Sequence, residues 1–179
     1  MSPEVEVDGS FFAFSDGWLV EKVDEWREQH RVTGEPFRAK CCDIVALHDG
    51  VVWLVEAKDY TYPGARVPSD LHSTVAKKMW DTLALMHAVA QWGSGDHREF
   101  SRQVLDSDEL MACLAMELPD GGLRYRGVAK PLADVLQELK RTTRPMGLTK
   151  PVVSNSFMPA SVPWTVRRDP SRRVLHRDR

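Results

Sequence analysis

What this chain of 179 residues lacks narrows its function before any motif is read. No stretch approaches the roughly 18 or more uninterrupted apolar residues that a membrane-spanning helix needs, and the N-terminus holds no basic region followed by a hydrophobic run. A soluble, cytoplasmic protein is therefore expected. Cysteine is scarce: Cys41, Cys42 and Cys113 form an odd set without a CxxC pair. Cys41 and Cys42 are neighbours in an expected strand and face opposite sides, so they do not bridge each other, and the count suits a reducing compartment. Without CxxC or HExxH, nothing suggests structural zinc or an iron–sulfur cluster; without GxxxxGKS or GxGxxG, the usual nucleotide-binding signals are absent. A strong excess of positive charge is also missing. The formal net charge of -2 and pI near 6.3 exclude a protein that coats nucleic acid by bulk charge. The charge is uneven, however, with six arginines against Asp169 and Asp178 from Arg167 to Arg179. That segment, which Arg167 and Arg168 open, reads either as a basic tail that grips phosphate or as a solvated terminus.

What the chain does contain is a hairpin with charge at its open end. Asp49-Gly50 separates the apolar runs Ile44-Val45-Ala46-Leu47 and Val51-Val52-Trp53-Leu54-Val55, and an Asp-Gly pair in that setting favours a tight turn of a primed type. Pairing His48 with Val51 sets the register back to Ile44 with Val55, and places Asp43 opposite Glu56. Lys58, two residues on, projects on the same face. Strands apolar on both faces belong inside a sheet covered on both sides. Two carboxylates there repel and raise each other's pKa, and a divalent cation reverses this. Magnesium, which takes carboxylate oxygens and leaves other positions to water and phosphate, fits the pair; Lys58 is then placed to assist an attacking water.

Asp43, the hairpin and Glu56-Ala57-Lys58 resemble the signature of the PD-(D/E)xK, or restriction-endonuclease-like, nuclease superfamily. Cys42 stands where the name of the motif has Pro. The resemblance implies a metal-dependent nuclease, with DNA ahead of RNA as substrate. Asp43, Glu56 and the backbone carbonyl of Ala57 would ligate Mg2+ or Mn2+. Lys58 would assist the water. Members often carry a further Glu on the preceding helix, and Gly17-Trp18-Leu19-Val20-Glu21 is similar to the pattern in archaeal Holliday-junction resolvases and Mrr-like enzymes, so Glu21 completes the expected site with Glu25 in reserve. The helix after the hairpin often positions nucleic acid in this superfamily, which makes Lys77 and Lys78 candidate phosphate contacts beside Arg167 and Arg168, with solvated surface lysines as the alternative. A homodimer, or recruitment by a larger complex, is a further expectation. The alternative is a non-catalytic module of the same fold that binds nucleic acid or a partner protein.

A second string also matches. Because about a quarter of the residues in an average chain are charged, an Asp, gap, Glu-x-Lys string arises by chance about once in a chain of this size. Pro119-Asp120 with Glu138-Leu139-Lys140 even includes the Pro. Asp120 precedes Gly121-Gly122 in a turn, though, and Glu138 and Lys140 fall on a helical pattern that points them apart, so this match is rejected.

The remaining pattern predicts a helix from Ser15 to about His30, a strand from Phe37 to His48 and a hairpin ending near Tyr60. A long helix over 69–92 follows, then a polar, irregular stretch over 93–108 that reads as a flap or holds one short helix, a buried strand over 110–118, a helix over 131–141, and short strands at 151–153 and 164–167. The order implies an α/β fold with a mixed central sheet and flanking helices, the restriction-endonuclease-like sandwich with an αβββαβ-type core. Residues 1–166 are expected to form one domain and 167–179 a basic C-terminal tail.

Overall fold

The computed structural model describes residues 2–119, 129–157, 159–169 and 171, with the backbone alone for 129–131. The Asp49-Gly50 hairpin organises it. Both turn residues have positive φ (46° and 74°), as a type I′ turn requires. The turn joins β4 (Ile44–His48) to β5 (Val51–Asp59) in the expected register, from His48 opposite Val51 back to Ile44 opposite Val55. β3 (Leu19–Glu21) adds antiparallel to β4, while β6 (Glu109–Glu117) and β7 (Val152–Ser154) continue from β5 in parallel, giving a mixed sheet of order β3-β4-β5-β6-β7.

Period-two alternation divides the sheet residues between two cores. Val45, Leu47, Val52, Leu54, Ala112, Leu114 and Met116 face the helical side, where Val75, Met79, Met86 and Val89 come from α2 (Leu71–Trp92), Phe100 and Val104 from α3 (Gly95–Leu105), and Leu139 from α4 (Ala129–Thr143). Ile44, Ala46, Trp53, Val55, Cys113 and Ala115 face the other way. They meet Phe12, Phe14 and Trp164 of a second, antiparallel sheet of order β1-β2-β8, built from β1 (Glu4–Val7), β2 (Ser10–Phe14) and β8 (Trp164–Arg168). The hairpin is therefore covered on both faces, which is why its strands tolerate no polar alternation. The architecture is mixed α/β, with a mixed sheet and flanking helices.

Four expectations need correction. Residues 15–30 are not one helix: β3 is followed by a 3-10 turn at Val23–Glu25 and a short α1 (Arg27–Val32). Gly17 at φ +91° breaks the run, and the open edge of β4 supplies backbone partners to Leu19–Glu21. The strand expected from Phe37 begins at Ile44. Cys41 and Cys42 precede it in irregular backbone, where Cys42 N donates to Thr82 Oγ1 of α2 at 2.9 Å. The polar stretch after Trp92 is mostly the helix α3, longer than the one short helix allowed for it, since Phe100, Ser101 and Val104 at three- and four-residue spacing give it one buried edge. The N-terminal phenylalanines and the last short strand join in the second sheet, so Arg167 and Arg168 lie within β8. Asp120 of the rejected match falls outside the described residues.

Candidate functional site

Asp43 sits one residue before β4, just past the last ladder pair, so its carboxylate takes the place of a backbone acceptor: Ala57 N donates to Asp43 Oδ2 at 2.7 Å. This bond draws Asp43 against the Glu56-Ala57-Lys58 tripeptide. Glu56 lies on the helical face with Val52 and Leu54, and its side chain is 0% exposed. Lys58 Nζ lies 2.5 Å from Glu56 Oε1. Acid, acid and amine converge as the hairpin register requires.

The structure adds a second amine. Lys78 of α2 points inward, its Nζ 2.6 Å from Glu56 Oε1 and 3.6 Å from Asp43 Oδ1, with its side chain 17% exposed. Thr82, one turn later, anchors the helix backbone there: its buried hydroxyl donates to Lys78 O at 2.7 Å while accepting from Cys42 N, tying α2 to the residue before Asp43. Lys78 is thus part of the cluster and is not turned outward toward solvent. Lys77 is exposed and pairs with Asp81 at 2.5 Å, as a helix i,i+4 pair does.

Charge in the cluster is unevenly distributed. Both ammonium groups contact Oε1 of Glu56, while Oε2 is buried and accepts no hydrogen bond among the described residues. Burial pushes the Glu56 carboxyl up to about 7; the Asp43 charge adds to the rise, and Lys78 and Lys58 pull against it. Burial works against the Lys78 ammonium too, but Glu56 and Asp43 outweigh it and hold the amine charged well above the ordinary lysine range.

The further carboxylate that couples to this cluster is Asp24, which sequence reasoning passed over. It lies on the 3-10 turn at Val23–Glu25, and its carboxyl is raised by burial and then by the Asp43 charge, with Lys22 and Lys78 pulling it down. Glu21 lies on β3 opposite Val45, hence on the same sheet face as Asp43, but its Oε2 accepts from the Trp26 indole N–H at 3.2 Å. Glu25 is paired with Lys22. The signal for Asp24 was the change from strand to turn after Glu21, which a helical reading hides.

The basic residues at the other end are engaged in structure. Arg168 reaches Asp59 at 2.8 Å and Thr61 at 3.1 Å, bridging the two sheets, and Arg167 lies 4.1 Å from the centre of the Phe11 ring. Glu138 of the rejected match pairs with Arg141 on α4, away from the cluster. The cysteines are free and buried, and burial pushes the Cys41 and Cys113 thiols up to about 12, so neither serves as a thiolate.

Among the described residues no group of three or more His, Cys, Asp or Glu forms a ready-made metal site. Two hard-oxygen donors with one buried oxygen bare do fit a divalent ion of the magnesium type, which needs only one or two carboxylates. The Ala57 carbonyl lies beyond the end of the β4 ladder, on the segment whose N–H Asp43 holds.

No protein-family model matches the chain, and no solved structure matches it. The chain is similar to a cysteine–tRNA ligase of Neisseria meningitidis serogroup A / serotype 4A (strain DSM 15465 / Z2491), at 27% identity over 164 residues that cover 71% of this chain. The match spans 23% of the relative's length.

Proposed function

We propose that the chain is a divalent-metal-dependent nuclease that hydrolyses phosphodiester bonds, with the PD-(D/E)xK arrangement carried by Asp43, Glu56 and Lys58. The observation that carries this reading is Glu56: a fully buried carboxylate with one oxygen bare and its pKa lifted to about 7, beside a second acid. Such a group weakens the fold, and strained electrostatics of this kind concentrate where chemistry is done.

Mg2+ or Mn2+, held by Asp43, Glu56 and the Ala57 carbonyl, would supply charge neutralisation at the phosphate and a water of lowered pKa. The protein's own contribution is positional. Asp43, fixed by the Ala57 N–H, keeps its second oxygen turned toward Lys78. Lys58, the more exposed of the two amines at 30%, can donate to a water or phosphate oxygen while staying beside Glu56. Asp24, whose carboxyl is raised in part by the Asp43 charge, stands beside Glu21 as a candidate to complete the acidic site. Lys77 remains a candidate phosphate contact at the surface. DNA stands ahead of RNA, and a homodimer or a larger complex would bring two strands within reach.

One observation favours the non-catalytic reading. The four charged groups Asp43, Glu56, Lys58 and Lys78 balance formally, as a sealed structural cluster would. A single experiment separates the two: labelled single- and double-stranded DNA and RNA, with a tRNA included because the relative is by name a tRNA ligase, incubated with Mg2+ or Mn2+ beside Lys58→Ala and Asp43→Ala. Cleavage that stops with EDTA and in both variants supports the nuclease. Cleavage unchanged in both variants removes these residues from the chemistry.

A further inference from the structure

Lys78 stands where a cation would stand. Its ammonium lies between the two acids, 2.6 Å from Glu56 and 3.6 Å from Asp43, on a side chain that is 17% exposed. Lys58 already contacts the same Glu56 oxygen, so the Lys78 charge is not needed to satisfy that atom, and Oε2 has no hydrogen-bond partner among the described residues. An arrangement evolved only for stability would give each oxygen its own donor. Glu28 is built that way, with Arg27 Nε on one oxygen at 3.0 Å and His97 Nδ1 on the other at 3.0 Å.

We propose that Lys78 is the site's resident counter-ion, which competes with the divalent cation for Asp43 and Glu56 and gives way when that cation binds. This rests on the metal-dependent reading above and deepens it, because it makes metal uptake dependent on an alternative anion for the displaced amine. A phosphate of the nucleic acid backbone is the anion the site would offer. Metal and nucleic acid then bind cooperatively, each favouring the state in which Lys78 has left Glu56, and the coupling is reciprocal. Weak metal binding by the free protein and tighter binding in the presence of a polyanion follow without any change in the ligands themselves.

The test is Mn2+ affinity, read by calorimetry and by loss of the free-ion electron paramagnetic resonance signal, on the metal-free full chain without nucleic acid. Removing a unit charge roughly 4 Å from the acids is a large electrostatic change, so Lys78→Met is expected to bind Mn2+ about tenfold or more tightly than the wild type. Lys78→Arg, which keeps the charge, is expected to stay close to wild type. Mn2+ uptake by the wild type that depends on Asp43 but does not tighten in Lys78→Met overturns this inference and leaves the nuclease reading standing. No Mn2+ uptake by any of these variants sinks both. Should Lys78→Met fail to fold, the wild type answers alone: reductive methylation mapped by mass spectrometry is expected to modify Lys78 faster when Mn2+ is saturating, and an unchanged or slower rate overturns the displacement.

Discussion

Glu28 and Glu56, the two most deeply buried glutamates among the described residues, are treated by the protein in opposite ways. Glu28 of α1 is 1% exposed and has a hydrogen-bond partner on each oxygen: Arg27 on one, His97 on the other, with the His97 ring stacked on Trp26 at 4.1 Å. Burial raises its carboxyl, but the bonds to Arg27 and His97 outweigh this and hold it below the usual carboxylate range. Glu56 is 0% exposed, shares one oxygen between two lysines, leaves the other bare, and is pushed up to about 7. The same residue type at the same depth is a staple in one place and a poised group in the other. Burial alone does not distinguish the two acids; the way their oxygens are partnered does.

The contrast is open to attack by substitution. The largest effect is expected on chemistry. Glu56→Gln, which keeps shape and removes charge, should lower metal-dependent cleavage about 100-fold or more, whereas Glu28→Gln should leave kcat/KM nearly unchanged in the folded fraction. Equal losses in both variants would erase the distinction.

Next comes the pH dependence of stability. Glu56 titrates near 7 when folded and near 4.5 when unfolded, so the native state binds its proton more tightly. Its contribution is favourable below about 4.5 and is lost as pH rises through about 7, a change on the order of 3 kcal/mol. Urea unfolding at pH 5 and pH 8 should show this slope in the wild type and a flatter one in Glu56→Gln; parallel slopes would refute the poised state.

Glu28 should behave with the opposite sign. Because its pKa is lowered, its stabilisation is present above its unfolded value of 4.5 and disappears as the pH falls below it. Glu28→Gln is accordingly expected to lose about 2 kcal/mol at neutral pH, discounted because Arg27 is largely exposed, and little at pH 3. The smallest effect belongs to the surface: Lys77→Ala breaks only the exposed pair with Asp81 and should shift stability by less than about 0.5 kcal/mol, read from the urea midpoint.

Much of this was legible in the residues. The Asp-Gly turn and two unbroken apolar runs announced the hairpin, its register and the meeting of Asp43, Glu56 and Lys58, because a tight turn leaves one pairing and a strand has a period of two. The stripe along α2 was equally clear, since a 22-residue helix repeats its pattern several times over. The stretch from Gly17 to His30 was not, because Trp18, Leu19, Val23 and Trp26 suit a helix face as well as an edge strand and a turn, and only the open edge of β4 decides between them. With that stretch misread, Asp24 was hidden and Glu21 was placed on the wrong element. Lys78 was visible as one of two adjacent lysines, but nothing local says which of them turns inward; Thr82 bonding to the backbone of Cys42, 40 residues away, does.

The sequence by itself determined the charged end of the hairpin, since local turn geometry and side-chain alternation act over a few residues and need no distant partner. Only the tertiary structure decided how the charges are shared. The docking of α2 against the sheet sets Lys78 between two acids, and the removal of water there gives Glu56 its raised pKa, because desolvation and long-range contact belong to the packed molecule and to no segment of it.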